Sequence, residues 1–136
     1  MTQVVQTFRS ACHGRPKGLH YLLVFLLASA PLSAHHSAAA KYDAAHAVTL
    51  TGKVSEFAWR NPHCFLYIDV DAGIYKGRRY VVEMSSAGVL ANAGWTRSKL
   101  KPGDDIRITV LSARAGIAAG LCRDCEIRIN GTVTKA

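Results

Sequence analysis

Two adjacent histidines, His35 and His36, stand in "PLSAHHSAAAKYDAAH" (residues 31–46), just beyond a greasy run. A histidine at the first position of a chain offers one metal ion both its α-amino group and its imidazole. That nitrogen pair suits copper, which binds most tightly of the divalent first-row series. A third nitrogen is available from His36, His46 or His63. A cut one residue earlier gives Ala34-His35-His36, with histidine third, which also favours copper(II) or nickel(II). A purely structural account makes the two histidines a soluble leader.

Other residue types capable of chemistry lie further on. His63 follows Asn61-Pro62, and histidine is the residue type suited to proton transfer and metal ligation near neutral pH. It is a candidate ligand or acid–base group, although Asn-Pro-His also sets an ordinary turn. Cys64 comes next and, on a strand, faces the opposite way. Cys122 and Cys125 form C-x-x-C. Three residues of extended strand span about 10 Å, while a disulfide needs Cα atoms within about 7 Å. Either "CRDC" is a turn with an internal bridge, or one of its cysteines crosses to Cys64. A thiol-redox role is the weaker alternative, because no βαβ pattern surrounds the pair. Trp59 and Trp95 could stack a ligand ring if exposed, though core or rim packing is the better account of both. The carboxylates Glu56, Asp69, Asp71 and Glu83 carry no pairing information, and no G-x-S-x-G is present. No catalytic constellation is identifiable, so the chain is not read as an enzyme.

The metal reading requires that residues 1–34 be removed. They contain Arg9, Arg15 and Lys17, no acid, the uncharged run "YLLVFLLASA" and the small-residue exit "LSA". A basic start, an apolar centre too short to span a bilayer, and small residues at the exit describe a secretory signal. Cutting after Ala34 leaves His35 first. Membrane contact is expected only through an uncleaved signal. Export places Cys64, Cys122 and Cys125 in an oxidising compartment, and the odd count leaves one thiol over. The net charge of +8 is scattered, without a run of five or six like charges, so no nucleic-acid partner is indicated.

The elements that would position these residues follow from periodicity. Residues 35–46 read as a flexible His/Ala-rich arm and residues 47–136 as the folded domain. "AVTLTGKVSEFAW" is a long strand whose parity changes, with Gly52 as the expected start of a bulge. "CFLYIDVD" sets Phe65, Tyr67 and Asp69 against Leu66, Ile68 and Val70. "YVVEM" is a third strand. A short helix follows, with Ser85 or Ser86 as N-cap and Gly94 as the C′ glycine. "DIRITVLSA" is the clearest strand, "RAGIAAG" a loop, and "EIRINGTVT" the fifth strand, with a brief hairpin at Asn130-Gly131. This mainly β order, with one helix between strands 3 and 4, is that of a five-stranded OB-like barrel.

The segments "AHHS…KYD", "VTLTGKVSEFAWRNPH" and "AGWTRSKLKPGDDI", with a Gly-rich loop before the last strand, resemble an exported bacterial family of small proteins, domain of unknown function 6152. Trp59, Asn61, Pro62 and His63, with the block from Gly94-Trp95-Thr96 to Lys101-Pro102-Gly103-Asp104, carry the resemblance most specifically. It implies a secreted or periplasmic OB-like barrel and brings no known activity with it. The sequence departs from the family pattern at "LCRDCE", where no cysteine pair is expected. The combined expectation is an exported binding or accessory module, with Trp59, Asn61, Pro62, His63 and Trp95 as binding-face candidates and copper as the possible cofactor. Its partner would be a small ligand or an envelope protein.

Overall fold

The computed structural model describes residues 38–136; the signal reading, His35 and His36 lie outside the described residues. A single turn of helix, α1 (Ala38–Lys41), leads into β1 (Tyr42–Ala58). Next come β2 (Phe65–Val70), β3 (Arg79–Glu83), α2 (Ala87–Asn92), β4 (Asp105–Ala113) and β5 (Ala119–Leu121). A terminal hairpin of β6 (Glu126–Ile129) and β7 (Thr132–Lys135) completes the chain. No helix among the described residues is long and apolar enough to cross a membrane.

The strands run β1-β2-β3-β5-β4, and β1 also pairs with β4, which closes a five-stranded barrel. All neighbours are antiparallel except β3 and β5, which are parallel. With α2 between β3 and β4, this is OB-type topology. The interior is filled by the alternate residues expected from the period of two: Leu50 and Val54, Leu66 and Ile68, Tyr80 and Val82, and Ile106, Ile108 and Val110. Each aliphatic side chain buried in this way contributes about 1.5–3 kcal/mol.

The first strand serves both sides of the barrel, as its length requires. At Gly52 it pairs with Val70 of β2 and Ile106 of β4 at once. The bulge, however, lies at Ser55, where the register with β2 slips between Val54 and Glu56. Gly52 answers a different need. A Cβ there would sit 2.2 Å from the Asp69 carbonyl oxygen, so only glycine lets the two backbones approach. The strand also begins at Tyr42, ahead of the expected Ala47, because the Tyr42 ring is buried against Ala113 and Leu121.

The fifth barrel strand is another correction. It is Ala119–Leu121, which overlaps the end of the stretch read as a loop, while Glu126–Ile129 and Thr132–Lys135 form the hairpin appended to β4. Gly120 explains why this strand gave no signal. A Cβ at Gly120 would meet Val110 at 2.6 Å and the Leu111 carbonyl at 2.8 Å, so the slot between β3 and β4 admits only small residues. The hairpin turns at Asn130 (φ 47°) and Gly131 (φ 84°), as their types dictate.

Helix α2 is shorter than two turns, with both ends capped as expected. The Ser86 hydroxyl accepts from the Val89 N–H at 3.3 Å. At the other end Gly94 has φ 82°, and the Gly94 and Trp95 N–H groups donate to the Ala91 and Leu90 carbonyls.

Candidate functional site

The outer face of β2 and β3 carries two rows across the sheet. One row runs Ala58, Phe65, Glu83, Leu121, and the next runs Glu56, Tyr67, Val81, Ala119. Phe65 and Tyr67 are half-buried. The Arg60 guanidinium lies 4.8 Å from the centre of the Phe65 ring.

Glu83 is the only buried polar or charged residue among the described residues, at 8% exposure. Three segments far apart in sequence meet on its carboxylate. The Lys41 ammonium donates to Oε2 at 2.7 Å, and the Tyr42 hydroxyl donates to the same oxygen at 2.7 Å. His63 Nδ1 bonds Oε1. Burial pushes the Glu83 carboxyl upward, but the bonds from Lys41, Tyr42 and His63 outweigh it and hold the group below the ordinary carboxylate value. The Glu83 bond raises Lys41 in turn. Tyr42 is raised first by its burial and then by the neighbouring carboxylate.

Backbone contacts fix each partner. The loop carrying His63, with a cis Asn61-Pro62 bond, is pinned to the end of β3: Cys64 N–H donates to Ser85 at 3.1 Å, and Met84 N–H to Cys64 at 2.9 Å. Lys41 and Tyr42 are held from the β4–β5 loop, where Arg114 N–H donates to the Lys41 carbonyl and Arg114 Nε to the Ala39 carbonyl, at 3.0 and 3.1 Å. Asp43 receives both His46 at 2.7 Å and Arg114 at 3.6 Å. A histidine bonded through Nδ1 to a carboxylate has a fixed ring orientation and keeps Nε2 for a second partner.

Of the residues singled out by sequence, His63 belongs to this cluster, and Asn61 and Pro62 are exposed on its loop. Trp59 is half-buried, edge-on to Phe57 at 5.8 Å. Trp95 has no face to offer a ligand: it is 3% exposed, and its Nε1 donates to the Lys135 carbonyl at 2.6 Å. Cys122 and Cys125 form the internal bridge, with Cα atoms 5.4 Å apart. Asp124, with φ 53°, turns the chain between them. Cys64 is therefore not a disulfide partner; it is free and fully buried. Among the described residues no group of three or more His, Cys, Asp or Glu side chains could hold a metal ion. Lys41 and Tyr42 carry no signal in the sequence, and Glu83 stands there only as one of four carboxylates without pairing information. The alternation in "CFLYIDVD" did set Phe65 and Tyr67 apart from the core, and that was the available signal.

The topology and this outer face define a small OB-type barrel. The model of the family of unknown function DUF6152 matches residues 24–124, and the chain belongs to that family. No curated protein and no solved structure matches the chain.

Proposed function

We propose that this protein is an exported accessory module, periplasmic or secreted, which binds a ligand or envelope partner and performs no reaction of its own. The observation that carries the reading is the convergence of Lys41, Tyr42 and His63 on buried Glu83, beside half-exposed Phe65 and Tyr67. A carboxylate withdrawn from water is costly unless it is fully bonded. Here the bonding holds the His63 loop against the outer face of β2 and β3. OB-type barrels hold ligands on that face, bordered by the β1–β2 and β4–β5 loops. A preformed rim lowers the ordering cost of binding.

A photo-crosslinking residue placed at Tyr67, and at exposed Lys76 in the β2–β3 loop as a control, tests the reading in cells. Tyr67 should yield one recurrent adduct, whose mass separates a small ligand from a docked protein, and Lys76 should not. No adduct at Tyr67, or the same adducts at both positions, removes the reading. The intact mass of the recovered protein tests export through loss of residues 1–34.

A finer reading keeps copper, favoured by the adjacency of His35 and His36 at the expected cut. Copper titration of the recovered protein against the double variant His35→Ser, His36→Ser decides it. Equal affinity eliminates copper and leaves the barrel reading standing.

A further inference from the structure

A second wall of the barrel, built from β1, β4 and β6, holds an arrangement that the Glu83 face does not use. Arg107 of β4 lies directly opposite Arg128 of β6. Both are exposed. Side chains directly opposite on neighbouring strands have Cβ atoms about 5 Å apart, and like charges placed so repel. Sheets ordinarily set an acid against a base at such a position. Here neither guanidinium has a carboxylate partner among the described residues. Arg128 makes one bond, from Nη1 to the Gly131 carbonyl at 3.4 Å.

The acids nearby are engaged or displaced. Asp105 is held by Lys53 at 2.7 Å. Glu126 stands opposite Lys135, one step along the face from Arg128. Two open cavities of about 330 and 230 Å³ adjoin the pair, and both arginines line each of them. Thr109 and Glu126 line the larger cavity, and Thr51, Asp71 and Asp105 the smaller. The pair therefore presents two planar forks of N–H donors and flanking hydroxyls to a space whose carboxylates, Glu126, Asp71 and Asp105, lie in the walls and bond neither fork.

We propose that Arg107 and Arg128 form an oxyanion site that takes a phosphate group, free or carried on a lipid headgroup. Two guanidinium forks match the oxygens of one phosphate by paired, charge-assisted bonds, which a lysine ammonium cannot reproduce. A dianion between them converts the cross-strand repulsion into two attractions.

The test titrates the recovered protein with inorganic phosphate at constant ionic strength, followed by calorimetry and by thermal unfolding. Saturable binding with a rise in Tm is expected. Arg107→Ala and Arg128→Ala should each weaken it at least tenfold, with Arg107→Lys intermediate and the exposed control Arg78→Ala unchanged. Without phosphate, each alanine variant should melt no lower than the parent, because repulsion is relieved. A merely structural pair would melt lower. Vesicles of phosphatidylglycerol in phosphatidylcholine supply the second arm. Vesicle binding displaced by phosphate assigns the group to a headgroup, and phosphate binding without vesicle binding assigns it to a soluble molecule. Binding in neither arm, binding indifferent to both alanine variants, or a lower Tm in both variants without phosphate overturns the proposal.

Discussion

Replacing Glu83 with glutamine keeps the side-chain volume and removes the charge that Lys41, Tyr42 and His63 all bond. The three losses are unequal. Lys41 is about half exposed, so its pair belongs with surface ion pairs worth roughly 0.2–1 kcal/mol. The Tyr42 hydroxyl bond is buried, and a hydrogen bond to a charged group is worth about 1.5–3 kcal/mol. Glutamine can still accept one bond through its carbonyl, which offsets part of the sum. A net destabilisation of about 2 kcal/mol follows, a Tm drop of roughly 8–16 °C for a domain of this size. The pH dependence is more discriminating. The folded pKa of Glu83 is depressed, so its contribution is complete above the unfolded carboxylate value of about 4.3 and fades as pH falls through the folded value. Urea unfolding of parent and Glu83→Gln should therefore show a gap that is constant near neutrality and closes in acid. Hydrogen exchange at the Arg114 amide, which donates to the Lys41 carbonyl, should quicken in the variant. A gap below about 0.5 kcal/mol, or one that persists unchanged from pH 6 to pH 2.5, would refute the assignment of Glu83 as a charged clasp.

Two further outcomes follow from the same geometry. Gly52→Ala places a methyl 2.2 Å from the Asp69 carbonyl oxygen, and backbone cannot swing aside as a side chain can. The loss should reach or exceed the 1–3 kcal/mol usual for overpacking, read as a collapse of Tm or of folded yield; a stability within about 0.5 kcal/mol of the parent contradicts the close approach. Reduction of Cys122–Cys125 opens a loop only three residues long in sequence separation, for which loop-closure entropy amounts to roughly 2 kcal/mol at most. The reduced protein should stay folded with a lower Tm and one readily labelled thiol, half-buried Cys125, while Cys122 and Cys64, at 1% and 0% exposure, react only on opening. Rapid labelling of Cys64 in the folded protein would show that the β2 end of the barrel opens.

The parts of the fold that strong periodicity marks are the parts that the sequence makes legible. Ile106, Ile108 and Val110 alternate with Arg107 and Thr109 because β4 is buried on one face and wet on the other. Ser86 and Gly94 bracket α2 because their caps are local chemistry. The fifth strand escaped because its residues are chosen for smallness. Gly120 fits a slot bounded by Val110 and Tyr80, and β propensity plays no part in that selection. The bulge escaped for a related reason. Gly52 looked like the flexible point, yet its missing side chain serves contact with Asp69, while the slip occurs at Ser55, whose hydroxyl donates to the Tyr67 carbonyl.

The site was legible on one side only. Period-two alternation places Glu83 opposite Val82 and Met84, and so on the outer face with Phe65 and Tyr67, but an outward carboxylate on a strand is ordinarily solvated. What buries this one is supplied from afar. Tyr42 and Lys41 arrive because β1 runs on past Ala47 to pair with β4 as far as Ala113, and His63 arrives because the β1–β2 loop is tied to Ser85 and Met84. Each of those contacts spans at least 20 residues of chain. The hydrophobic pattern encodes which face a residue takes, not which residues meet there. The pairing emerges only once the barrel closes, since closure brings the start of β1 to the same end as β3 and β5. Glu83 is thus selected by long-range topology, and His63 acquires its fixed orientation from Glu83, so the Asn-Pro-His turn read as a local feature is completed by a partner no local pattern could name.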